Sequence, residues 1–145
     1  MLDQNAVDRL LAVAKRLSSL DTIDFPAMGT SLVLDATDFE EREQFKIDVQ
    51  RKGMRRVAKC TFQERYQQTE ILLRVDVDGP MHENPDGDVV PCPHLHVYRE
   101  GFADKWAYPL PSDKFPDPAN LELTLKSFLK YCVIEVVPQV QRTMG

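Results

Sequence analysis

Three successive stretches of this chain alternate apolar and polar residues with a period of two. Across 44–51, Phe45, Ile47 and Val49 form one row, and Lys46, Asp48 and Gln50 form the other. Across 57–66, Ala58, Cys60 and Phe62 oppose Lys59, Thr61, Gln63 and Arg65; across 70–78, Ile71, Leu73, Val75 and Val77 oppose Arg74, Asp76 and Asp78. Side chains of a strand alternate between its faces, so such runs predict strands with one dry and one wet face. That is the pattern of an antiparallel sheet covered on one side. Lys52-Gly53 and Gln67-Gln68-Thr69 are breaks of turn length, which predicts a meander.

The flanks supply the cover. Residues 4–18 carry Val7, Leu10, Leu11, Ala14 and Leu17 at helical spacing, with Asp3 as cap. Near the other end, Asp117 is a good N-cap and Pro118 suits the first helical position. Leu121, Leu125, Phe128, Leu129, Cys132 and Val133 then form one apolar stripe, and Pro138 ends it. Residues 30–36, 94–99 and 105–110 read as further strands, with Pro109 and Pro111 placing the last at an edge. Between 78 and 93 lies a long loop with its own turn signals, Gly79-Pro80 and Asn84-Pro85-Asp86-Gly87. The expected fold is α+β: an antiparallel sheet of five or six strands with an N-terminal and a C-terminal helix packed on one face.

Residues 1–145 fit a single α+β domain, large enough to bury a core without disulfides. Cys60, Cys92 and Cys132 are odd in number and widely spaced, and no C-x-x-C pair occurs. No apolar run approaches the roughly 18 residues of a membrane span. The first residues lack the basic start and apolar block of a signal peptide, so a cytoplasmic location is expected. A net charge of −5 disfavours non-specific nucleic-acid binding and suits solubility or a basic protein partner.

The chemistry concentrates in Pro91-Cys92-Pro93-His94-Leu95-His96-Val97-Tyr98-Arg99-Glu100-Gly101. On a strand, His94, His96 and Tyr98 would share one face. Two imidazoles with Arg74 and Lys59 nearby would suit metal-independent RNA cleavage, one ring as base and one as acid, with Asp76 or Asp48 orienting an imidazole. His94, His96, Arg74, Asp76 and Tyr98 are therefore the candidate catalytic residues. His82, Cys92, His94 and His96 are ligand types zinc accepts, but their spacing matches no standard pattern, and the nearby acids Glu83, Asp86 and Asp88 sit in the loop. Neither a metal site nor a cofactor is assigned on this basis. No G-x-S-x-G, Walker loop, G-x-G-x-x-G or H-E-x-x-H occurs. Tyr98, Phe102, Trp106 and Tyr108 cluster around the 94–110 hairpin, so Arg99, Lys105, Trp106 and Tyr108 form a candidate protein-contact surface.

The run 93–101, followed by Asp104-Lys105-Trp106-Ala107-Tyr108-Pro109-Leu110, resembles a signature of small uncharacterised bacterial and phage proteins. The resemblance covers about twenty residues well and implies no particular activity. It implies a setting of prophages and mobile elements, where inhibitors of host defence complexes and RNA-cleaving toxins are common. Two readings follow. In the first, this is an accessory protein that binds a macromolecular partner, with inhibition of a host defence complex as one form. In the second, it is a His-dependent, metal-independent RNA-cleaving enzyme using the His94/His96 face. The expected partner is a protein, with RNA as the alternative and no membrane; oligomeric state is not legible.

Overall fold

The computed structural model describes residues 1–53 and 59–142. Val57 and Ala58, which the alternation assigns to the second run, lie outside the described residues. In chain order the elements are α1 (Gln4–Ala12), β1 (Lys15–Leu17), β2 (Ile23–Phe25), β3 (Ser31–Asp38), β4 (Gln44–Gln50), β5 (Thr61–Tyr66) and β6 (Glu70–Asp76). Then come β7 (His82–Glu83), β8 (Val89–Val90), β9 (His94–Val97), β10 (Ala107–Pro109), α2 (Leu121–Tyr131) and β11 (Val140–Arg142).

The architecture is α+β around a seven-stranded sheet in the order β1-β3-β4-β5-β6-β9-β10. All six pairings in it are antiparallel. The three alternating runs become β4, β5 and β6, side by side at the centre. The sheet exceeds the expected five or six strands because of β1. Residues 15–17 continue the spacing of the N-terminal helix, yet that helix stops at Ala12, where the Val13 amide bonds back to the Arg9 carbonyl. Lys15 instead pairs with Asp38 of β3, and its fully buried ammonium donates to the carbonyls of Val13 and Cys132, 2.9 Å each. The C-terminal helix also starts later than Asp117. Asn120 is its N-cap, accepting from the Leu123 amide, while Asp117 and Pro118 occupy the preceding turn. A parallel pair, β2 with β11, and the short hairpin β7–β8 lie outside the main sheet.

Val7 and Leu10 of α1 and Leu121, Leu125, Phe128 and Leu129 of α2 share one core cluster with Phe45, Ile47, Val49, Phe62, Leu73 and Val75. Phe62 meets Phe128 directly, ring centroids 6.0 Å apart. One irregularity redirects the predicted rows. The β5–β6 register shifts between Glu64 and Arg65, so that Glu64 pairs with Leu73 and Arg65 with Ile71. Leu72 is the extra residue and is fully buried; Ile71 falls outside the core cluster, although strict alternation had placed it there.

Next to this bulge β9 ends. The Tyr98 amide bonds to the Leu72 carbonyl at 2.9 Å, and the Tyr98 ring enters the core, its hydroxyl accepting from the Leu2 amide. Tyr98 therefore does not share the face of His94 and His96, as uninterrupted alternation predicted. Among the described residues, no helix is long and apolar enough to cross a membrane.

Candidate functional site

The site arises from pairing between β6 and β9, in which Arg74 lies opposite His96 and Asp76 opposite His94. The four side chains occupy the sheet face away from the core. Both imidazoles direct Nε2 at one oxygen, Asp76 Oδ2, at 3.0 Å from His94 and 3.2 Å from His96. The other carboxylate oxygen, Oδ1, accepts from Thr61 Oγ1 at 2.9 Å and from Arg74 Nε at 3.2 Å. The opposite ring nitrogens are equally engaged. His94 Nδ1 lies 3.2 Å from the Val90 carbonyl, and His96 Nδ1 lies 2.8 Å from the Asp104 carbonyl. A carbonyl can only accept, so in each ring Nδ1 carries the proton and donates. The rings are thereby fixed in orientation, with centroids 4.9 Å apart and edge to face.

Although they sit on the polar face, His94 and His96 are only 2% and 3% exposed. The cover comes from the 78–93 loop, which folds over the sheet edge. Asn84 exchanges two hydrogen bonds with the backbone of Ala107 on β10, at 2.8 and 2.9 Å. His82 Nε2 donates to the Lys105 carbonyl at 2.6 Å. This brings the His82 ring edge-on to His96, 4.6 Å between centroids, so a third imidazole stands beside the other two. What remains open is a cleft of about 260 Å³ lined by Lys59, Thr61, Arg74, Asp76, Asp78, Pro80, Met81 and the three histidines. Through Thr61 and Arg74 it adjoins a shallower groove of about 500 Å³ along the polar face, past Gln63, Arg65, Asp48 and Gln50 to Ser31.

Burial alone would raise the proton affinity of Asp76. Its contacts with His96, Arg74 and Thr61, with the charge of Arg74, outweigh it and hold the carboxyl far below the usual carboxylate range. The group is a permanent anion at the floor of the cleft. Cys92 lies at the margin, its sulfur 3.7 Å from His94 Nδ1, and its thiol is pushed up by burial and by the nearby charges of Asp76 and Asp78. It is thus no activated nucleophile.

Of the residues singled out in the sequence, the fold gathers His94, His96, Arg74 and Asp76 and diverts Tyr98. Arg99, Lys105, Trp106 and Tyr108 lie together around the turn into β10. Arg99 stacks on the Trp106 ring, 4.4 Å from its centroid, and Trp106 is half-buried. Arg99, Lys105 and Tyr108 are exposed. Thr61 and Lys59 enter the cleft from β5 and the residues before it. In the sequence His82 stands only as one of four zinc-type ligands, with Cys92, His94 and His96. Among the described residues, it is Asp76, His94 and His96 whose ligand atoms lie within 4.8 Å of one another, close enough to meet at one ion.

No curated protein and no solved structure matches the chain. Residues 2–134, which hold the whole cleft, match a family of unknown function, DUF6978, and the chain belongs to that family.

Proposed function

We propose that the protein is an enzyme whose reaction centre is the Asp76–His94–His96 cleft and whose substrate is a phosphoester, with the backbone of single-stranded RNA as the class that best fits the adjoining groove. One observation carries this reading: two imidazoles, fixed from behind by backbone carbonyls, converge on one carboxylate at the floor of a cleft whose wall holds Arg74 and Lys59. A guanidinium and an ammonium beside a reactive centre are the groups that hold a phosphoryl oxygen and stabilise its developing charge. The groove leading away is lined by Gln50, Ser31 and Gln63, polar groups that can meet a sugar-phosphate strand, with Arg65 neutralised by its two-point pairing to Asp48.

The accessory role, in which the hairpin meets a protein partner, has less behind it. Its aromatic anchor, Trp106, is half-buried beneath Arg99, leaving Arg99, Lys105 and Tyr108 as its open members. Inhibition of a defence complex and a phage setting have no support beyond the resemblance of residues 93–110.

The test is an assay of the purified protein on single-stranded RNA, single-stranded DNA and a synthetic phosphodiester, with and without added divalent metal. Cleavage is expected, with His96→Gln and Arg74→Ala each slower by about 100-fold or more while far-UV dichroism is unchanged. Absence of cleavage under every condition would remove the reading. So would activity that survives both substitutions.

A further inference from the structure

The hydrogen bonding of the cleft leaves one requirement unmet. Both Nδ1 atoms donate to carbonyls, at 3.2 Å for His94 and 2.8 Å for His96. In a neutral ring Nε2 then has a lone pair and no proton. These lone pairs face Asp76 Oδ2, a third acceptor, at 3.0 and 3.2 Å. Three acceptors directed at one small volume repel one another unless a cation sits among them. Two ring protons would meet the need only by placing two imidazolium charges, centroids 4.9 Å apart, almost out of water and beside Arg74. One divalent ion meets it with both rings neutral.

We infer that Asp76 Oδ2, His94 Nε2 and His96 Nε2 form a binding site for a first-row divalent transition-metal ion, with the Val90 and Asp104 carbonyls, Thr61 and Arg74 as the groups that orient the ligands. Two imidazoles and a carboxylate on one side of an ion are a recurrent donor set for zinc, manganese and iron, and they leave positions open for water or substrate. The surroundings match such a centre. Ligand histidines characteristically donate their second N–H to a carbonyl, and both do so here. The remaining carboxylate oxygen is held by Thr61 and Arg74, leaving Oδ2 directed inward. The site faces the cleft, so an ion and its exchangeable ligands have a route in.

This differs from the sequence reading, which assigned no metal. The third ligand is Asp76 on β6, which only the pairing of Asp76 with His94 brings near; Cys92 and the loop acids do not complete the set. His82 is not a member either. Its Nε2 is committed to the Lys105 carbonyl.

The inference rests on the reading of this cleft as the reaction site, but its readout is ion occupancy. Metal-free protein is titrated calorimetrically with Zn²⁺, Mn²⁺ and Co²⁺. The unmodified chain is followed in parallel by the ¹⁵N resonances of its imidazoles. One ion per chain is expected, with the Nε2 signals of two histidines displaced and their Nδ1 signals still those of donors. His94→Gln, His96→Gln and Asp76→Asn should each weaken binding by more than about 100-fold, exceeding the usual effect of losing an orienting group. Glu83→Gln and Asp86→Asn should leave it unchanged. Failure of all three ions to bind the unmodified protein overturns the inference, as does binding that follows Glu83 or Asp86. Occupancy without phosphoester cleavage supports the metal centre and removes the phosphoester reading. Cleavage by protein that binds no ion overturns the centre alone.

Discussion

Glu64 is a buried acid and Asp76 a half-buried one on neighbouring strands of one sheet, and their surroundings treat them in opposite ways. Glu64 shares the core face with Phe62 and Tyr66, is fully buried, and lies 3.7 Å from the equally buried Lys15 ammonium. Its carboxylate oxygens take no hydrogen bond, and burial, against the opposing charge of Lys15, holds the group up at about 7. Asp76 lies on the polar face with four side chains on its two oxygens and is held low. A lone ion pair in apolar surroundings gains little and ties segments together; here Lys15 links the end of α1 to the end of α2 through two carbonyls. A carboxylate supplied with partners at the floor of a cleft is prepared to remain charged. The two acids thus differ in their partners and in access to solvent as well as in depth.

The largest effect expected from this contrast is on the core side. Lys15→Met should cost about 3–5 kcal/mol, because it leaves Glu64 buried without its counter-charge. It should leave ion affinity at the cleft unchanged, as long as the variant is assayed at a temperature where it is folded. Paired denaturation and titration curves check this, and a parallel loss of ion affinity would break the division between the two regions.

The next effect is on pH dependence. Glu64 binds its proton up to about 7 in the folded protein, against an ordinary value of 4.5. The folded state thus holds more protons than the unfolded one between those values, and the stabilising contribution is fully present below that range. It is lost as pH rises through the folded value, by about 3 kcal/mol in all. Urea midpoints between pH 4 and 8 should fall along this course, and Glu64→Gln should flatten it. An unchanged slope would show that the core pair is not what the geometry indicates.

Smaller still is the effect of Thr61→Val, which removes the hydroxyl holding Asp76 Oδ1 and keeps the side chain's shape. Ion affinity should fall about 10–100-fold, with a stability cost of about 1 kcal/mol. Restoration by Thr61→Ser would identify Thr61 as a positioning residue.

The residues themselves announce much of this. Strict alternation in β4, β5 and most of β6 announces the sheet, since only a one-sided sheet needs that pattern. The bulge does not show, because Ile71, Leu72 and Leu73 are all apolar and any two of them could fill the core row. Tyr98 is misplaced for the same reason, as β9 ends where Leu72 intrudes. Lys15 hides β1: a lysine at a fully buried position contradicts polarity patterning, and its two carbonyl partners together with Glu64 make it tolerable. At the site, His94 and His96 stand out by spacing alone. Their common partner is offered as one of two, Asp76 or Asp48, because Asp76 is 18 residues from His94 in the chain and only strand order selects it.

The central claim is that the two histidines and Asp76 surround a cation. The direct test is a crystal of the protein grown with Mn²⁺ or Zn²⁺, with anomalous diffraction recorded at the metal edge. The account predicts one strong anomalous peak about 2.0–2.2 Å from His94 Nε2, His96 Nε2 and Asp76 Oδ2, with both Nδ1 atoms still on the Val90 and Asp104 carbonyls. A cleft without that peak, in which both imidazoles keep their direct contacts to Asp76 at 3.0 and 3.2 Å, would contradict it.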